Sequence, residues 1–247
     1  MVKSDEQHNK GIYLLPNLFT TAGLFAGFYA IVAAIRGDFS TAAIAIFIAM
    51  IMDGLDGRIA RLTNTQSAFG AEYDSLADMV AFGLAPALVM FEWALSGMGK
   101  FGWMVAFIYA ACGALRLARF NTQVGIADKR FFQGLPSPAA AACIAGWVWL
   151  GHNYELDASV LTTVATPLTF ITAILMVSTV RYHSFKELDL RGKVPFMVIL
   201  GLVLLFALIA IDPPIVLFSA FMIYALSGPV LTLIQLRKHR NERAQSK

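Results

Sequence analysis

The stretch from Met52 to Asp78, MDGLDGRIARLTNTQSAFGAEYDSLAD, carries four aspartates: Asp53, Asp56, Asp74 and Asp78. The first two are three residues apart and the last two are four apart, so on helices each pair lies on one face. The connection LTNTQSAFG is short and polar, which makes the two helices antiparallel neighbours and lets the pairs face one another. Carboxylates gathered in a low-dielectric site repel strongly. Arg58 and Arg61, the two arginines of the stretch, cannot neutralise them all. Divalent cations can. Carboxylate oxygens are hard ligands suited to Mg2+, Mn2+ or Ca2+, and the lack of histidine in the stretch argues against zinc. Two such ions a few ångströms apart can clamp a phosphate and stabilise both oxygens of an in-line displacement. Carboxylates inside membranes also mark ion pathways, so charge alone leaves a cation transporter as open as a metal-dependent enzyme.

The neighbouring residues bear on that choice. Gly57 and Ala60 follow the first pair, and Gly70 precedes the second. Singly, each is accounted for by close helix packing. Together they leave room for a bulky ligand beside the backbone, and Arg61 offers a planar fork to a phosphate. An ion path alone does not require that set. Asn17, just after Pro16, is a polar group in an apolar run. It is placed to reach a nucleotide or metal, or to make a packing hydrogen bond between helices.

The elements that carry these residues are those of a membrane protein. Of 247 residues, 58% are hydrophobic and 14% charged, with a mean hydropathy of +0.66. A soluble domain carries about a quarter charged residues, and one soluble core could not hide this much apolar surface. Eight apolar runs are candidates for crossing a bilayer: Tyr13–Ile35, Phe39–Arg61, Gly70–Leu95, Gly102–Phe120, Pro138–Leu150, Val160–Val180, Val194–Ile211 and Pro213–Leu236. The fifth is short of the roughly 20 residues a span needs. The fold expected is therefore an all-α polytopic helical bundle of about eight transmembrane helices. Residues 1–12 form an N-terminal segment, 13–236 a single transmembrane domain and 237–247 a C-terminal tail. With both termini on the cytoplasmic side, every Lys and Arg of the 19 except Arg36 and Lys100 falls on that side, as the positive-inside rule requires. The aspartate stretch then lies at the cytoplasmic ends of spans two and three. The N-terminus has no signal-peptide pattern, so the first run reads as a retained helix. Cys112 and Cys143 read as small core residues. No nucleic-acid motif is present, and no nucleic-acid partner is expected.

Read as D-x-x-D-G-x-x-A-R, eight residues, then G-x-x-x-D-x-x-x-D, the stretch resembles the signature of the CDP-alcohol phosphatidyltransferase family at every fixed position. The matching residues are Asp53, Asp56, Gly57, Ala60, Arg61, Gly70, Asp74 and Asp78. LPNLFT (Leu15–Thr20), FGAEYDSLADMVAFGLAPA (Phe69–Ala87), RLARFNT (Arg116–Thr122), FFQGLPSPAAA (Phe131–Ala141) and VSTVRYHSFKEL (Val177–Leu188) are similar to the branch of that family that uses serine. The likeness runs from about residue 11 to 190, and the last two spans resemble the family only in hydropathy. The resemblance implies transfer of a phosphatidyl group from CDP-diacylglycerol to the hydroxyl of L-serine, with release of CMP. It implies two divalent cations, Mg2+ or Mn2+, on Asp53, Asp56, Asp74 and Asp78, with Asp78 as the general base. Gly57, Ala60, Arg61 and Gly70 carry over as nucleotide and diphosphate contacts. It also implies a homodimer in a membrane, in a prokaryote the cytoplasmic membrane, with the active site facing the cytoplasm. Serine is zwitterionic and needs a cation for its carboxylate. Arg116 and Arg119, with Asn121 close behind, and Arg181 are the candidates, and topological anchoring accounts for each of them equally well. A phosphorylated acceptor such as glycerol 3-phosphate or inositol phosphate, or else inositol or choline, is the alternative within the same chemistry.

Overall fold

The computed structural model describes residues 14–63, 65, 67–123, 131–183 and 196–245. The N-terminal segment 1–12 and the last two residues of the tail lie outside them, as does part of each connection after spans two, four and six. Eight helices overlie the eight apolar runs. They are α1 (Leu14–Ile35), α2 (Phe39–Leu62), α3 (Ala68–Met98), α4 (Lys100–Gln123), α5 (Ser137–Asn153), α6 (Ala158–Val177), α7 (Phe196–Ile211) and α8 (Pro213–Gln245). Six of them are long and apolar enough to cross a membrane; α5, with 17 residues, and α7, with 16, are shorter. About eight spans were expected, with the fifth run short; the helix over that run, α5, is indeed short, and α7 is short as well.

The short α5 is the centre of the bundle. Residues 139–148 are all buried, and α5 packs against α2, α3, α6 and α8. A helix that is apolar all round belongs in a core, and its alanines let neighbours approach closely. The outer helices behave oppositely. Phe25, Phe28, Leu115 and Phe206 are more than half exposed. Scattered over several helices, such side chains make an apolar shell far larger than a soluble monomer tolerates. Lipid is the solvent that suits it, and the chain is an integral membrane protein. Cys112 and Cys143 are free thiols in the core.

The fold is not purely helical. Two short strands, β1 (Phe131–Gln133) and β2 (Arg181–His183), pair antiparallel, with Phe132 opposite Tyr182. The pairing ties the connection after α4 to the one after α6. Gly134, at φ 79°, continues it: its N–H donates to Val180 O at 2.8 Å. A Cβ there would lie 2.3 Å from Met176 O, so only glycine fits. Tyr182 is fully buried, donates its hydroxyl to Ala225 O at 2.9 Å and packs its ring against Gly228. In this way β2 fastens α8 to the rest of the bundle.

At the opposite end of the bundle, Asp38 caps α2, accepting from Thr41 N at 3.1 Å. The Thr41 hydroxyl, together with this backbone bond, holds its carboxyl below the ordinary value. A lowered folded value means the cap contributes fully above about pH 3.9 and is lost as pH falls through the folded value. Asp38→Ala is expected to lower stability by about 1 kcal/mol at neutral pH. Thermal unfolding in detergent checks this, and the loss should shrink at acid pH.

Candidate active site

The site is assembled where α2 ends and α3 begins. Thr63 closes α2, its N–H donating to Ile59 O at 2.9 Å, and Thr65 N–H donates to Ala60 O at 3.1 Å. Ser67 then caps α3, its hydroxyl accepting from Gly70 N–H at 3.0 Å. The reversal takes only a few residues, so the last turns of α2 and the first turns of α3 lie side by side. Asp53, Asp56, Gly57, Ala60 and Arg61 come from α2, and Gly70, Asp74 and Asp78 from α3.

Three of the four aspartates converge. One carboxylate oxygen from each of Asp53, Asp74 and Asp78 lies within 4.8 Å of the others. They border a small open cavity that Thr20 and Phe82 also line. At that spacing each pair of charges repels by about 3–4 kcal/mol at an effective dielectric of about 20. A cluster of hard oxygen donors under that repulsion fits a divalent cation such as Mg2+ or Mn2+, and it contains no thiol or imidazole that would favour a softer metal. Asp56 stands apart from the three. It is buried, and its Oδ2 accepts a hydrogen bond from Thr20 Oγ1 of α1. The expected set of four is thus three clustered carboxylates and a fourth held by a neighbouring helix.

The other expected residues divide in two. Asn17 and Gly70 come together: a Cβ on Gly70 would lie 3.5 Å from Asn17 Oδ1 and 3.1 Å from Ser67 Oγ. Thr21 and Tyr73 share a hydrogen bond of 2.9 Å beside them, which further joins α1 to α3. Gly57 faces open space, and Arg61 is exposed. Among the serine candidates, Arg116 is 9% exposed and donates from Nη1 to Ser137 Oγ at 2.9 Å, while its buried Nε has no partner among the described residues. Its charge acts on Asp78. Arg119 donates to Val177 O at 2.9 Å, at the end of α6. Asn121 exchanges hydrogen bonds of 3.0 and 3.2 Å with Ser75, between Asp74 and Asp78 on α3. Arg181 is exposed on β2, opposite Gln133. The structure therefore brings Arg116 toward the carboxylates and gives Arg119 and Asn121 partners in the framework.

Sequence reasoning gave no role to Thr20, Ser75 or Ser137. Thr20 carried a signal: it lies three residues after Asn17, on the same face of an apolar helix. Immediately after Asp78 the helix widens into a π turn at Met79–Leu84, and a second lies at Phe91–Leu95. Such turns occur frequently at functional sites.

Known proteins give this geometry a context. A family model described as CDP-alcohol phosphatidyltransferase matches residues 13–180. The chain is 35% identical over 233 residues to CDP-diacylglycerol–serine O-phosphatidyltransferase of Helicobacter pylori strain J99, covering 94% of this chain and 98% of that one. It is 42% identical over 149 residues to the protein of the same name from Mycobacterium tuberculosis strain H37Rv, which covers 58% of this chain and 51% of that one. To the Saccharomyces cerevisiae protein of that name it is 37% identical over 165 residues, 59% of this chain and 58% of that one. With the family model running from the first helix through the sixth, and the Helicobacter protein aligned almost end to end, the chain belongs to the CDP-alcohol phosphatidyltransferase family.

Proposed function

We propose that the protein transfers the phosphatidyl group of CDP-diacylglycerol to the hydroxyl of L-serine, giving phosphatidylserine and CMP. The observation that carries the chemistry is the convergence of Asp53, Asp74 and Asp78 on one open cavity at the ends of two membrane helices. The acceptor is supported by the names of the relatives, one of them aligned over nearly its whole length.

Asp53, Asp56, Asp74 and Asp78 would hold two divalent cations, Mg2+ or Mn2+. When bound, these neutralise the carboxylates and stabilise charge on the phosphoryl oxygens. Gly57 and Ala60 leave space for the nucleotide along α2, and Arg61 pairs with the diphosphate through its planar fork. Asn17 and Gly70 meet where α1 passes the start of α3 and add further contacts to the nucleotide. Asp78 takes the proton of the serine hydroxyl, a poor nucleophile until deprotonated. The serine oxygen then bonds to the lipid-side phosphorus, the bond from that phosphorus to the bridging oxygen breaks, and CMP leaves with that oxygen. Arg116 is our choice for the serine carboxylate, because it is buried, acts on Asp78 and keeps an uncommitted N–H. Arg119, Asn121 and Arg181 are assigned to the framework around it.

The reading carries a cytoplasmic site, both termini inside, and a homodimer in the membrane. The distribution of Lys and Arg supports the orientation. The test is an acceptor series. Purified protein receives CDP-diacylglycerol, Mn2+ or Mg2+, and serine, glycerol 3-phosphate, inositol or choline in turn. CMP release is expected with serine at a kcat/KM at least about 100-fold above the others. Release with glycerol 3-phosphate but not serine would overturn the acceptor.

A further inference from the structure

Thr20 and Asp56 form a contact that the signature does not contain. Thr20 sits in the second turn of α1 and is 4% exposed, and Asp56, near the end of α2, is 6% exposed. Two acceptors lie within reach of the Thr20 hydroxyl: Pro16 O, at 3.1 Å, and Asp56 Oδ2. A hydroxyl has one proton to donate. The charge-assisted bond to an ionised carboxylate is the stronger of the two, so Asp56 takes it and the back-bond within the helix yields. The bond fixes Oδ2 and leaves Oδ1 available. Thr20 also borders the cavity that Asp53, Asp74 and Asp78 line, so one residue both bonds the fourth aspartate and lines the space beside the other three.

We propose that Thr20 is a positioning residue for divalent-cation binding: its hydroxyl orients Asp56, and the two act as one unit beside the three clustered carboxylates. This deepens the functional reading and rests on its assignment of Asp56 as a ligand. Hydrogen-bonded partners of metal ligands fix ligand orientation, and losing one costs about 10- to 100-fold in affinity. A threonine that merely packed α1 against α2 would have no such effect when replaced by an isostere.

The experiment measures Mn2+ binding to the whole purified protein in lipid nanodiscs by the electron paramagnetic resonance of free Mn2+, with neither CDP-diacylglycerol nor acceptor present. Thr20→Val, which keeps the shape and removes the hydroxyl, is expected to weaken binding by about 10-fold or more. Thr20→Ser, which keeps the hydroxyl, should stay within about 3-fold of the parent. The double variant Thr20→Val with Asp56→Asn should bind no more weakly than Asp56→Asn alone, because residues that act as one unit are not additive. If Thr20→Val elutes as aggregate, Thr20→Ala takes its place with the same expectations. Parent-like binding by the valine variant, equal loss in the serine variant, or multiplying effects in the double variant would each overturn the proposal. Since no acceptor is present, a wrong acceptor leaves these results unchanged. Equally, a Thr20 without effect leaves serine-dependent CMP release standing.

Discussion

Asp78→Asn is expected to lower serine-dependent CMP release at least about 10³-fold while CDP-diacylglycerol still binds. The substitution keeps the size of the side chain and one oxygen, but the amide cannot accept the serine proton. Asp78 is suited to that role by position. It is the last residue before the π turn of α3, half-buried beside Asp53 and Asp74, and under the influence of Arg116. Asp53→Asn is the informative comparison. It removes a ligand rather than the base, so raising Mn2+ should restore part of its activity. Asp78→Asn should stay silent at any Mn2+ concentration. The measurement is CMP release against Mn2+ for both variants, with nucleotide binding followed separately. Turnover near the parent rate in Asp78→Asn would remove Asp78 from the role of base.

Features governed by local periodicity were legible in the sequence. Spacings of three and four put each aspartate pair on one helix face, and a short polar connection made the helices neighbours. Together these bring Asp53 to Asp74 and Asp78. Features that depend on distant segments were not legible. Asp56 obeys the same spacing as Asp53, yet it turns to Thr20, 36 residues earlier. Nothing local reports that α1 passes there. Arg119 looks like a free basic residue at a helix end, but its partner is the carbonyl of Val177, 58 residues on. The strand pairing of Phe131–Gln133 with Arg181–His183 was hidden for a similar reason. Three-residue strands show no alternation, and their pairing depends on two connections emerging together. The length of α5 was readable, but its place at the centre was not. An alanine-rich run suits both a lipid-facing helix and a tightly packed core, and only contact with α2, α3, α6 and α8 decides.

The role of α8 follows from the same distant contacts. The family model ends at residue 180, before α8 begins. Even so, Tyr182 reaches its Ala225 carbonyl, and Phe218 packs its ring against Trp147 of α5 at 5.5 Å.

Two glycines separate the claim that small residues make room for a ligand from the claim that they merely pack. Gly27 of α1 packs: a Cβ there would lie 2.6 Å from Ala81 Cα, a backbone atom of α3 just beyond Asp78. Gly57 of α2 does not, since beyond its own helix no atom of the described residues lies within 4 Å of where its Cβ would be. Gly27→Leu should therefore wedge α1 from α3 and destabilise the protein by about 1–3 kcal/mol or more. Gly57→Leu should leave stability unchanged or slightly raised, because leucine is the better helix former by up to about 1 kcal/mol. If the space beside Gly57 is where the nucleotide lies, the same leucine fills it. Displacing bound groups by about 1 Å can cost about 10²-fold in rate, so CMP release by Gly57→Leu should fall at least that far. Thermal unfolding and CMP release measured on both variants give the comparison. A folded Gly57→Leu protein that turns over like the parent would mean that the open face of α2 holds no substrate. The nucleotide would then have to lie on the side of the carboxylates nearer α1, where Asn17 and Gly70 meet.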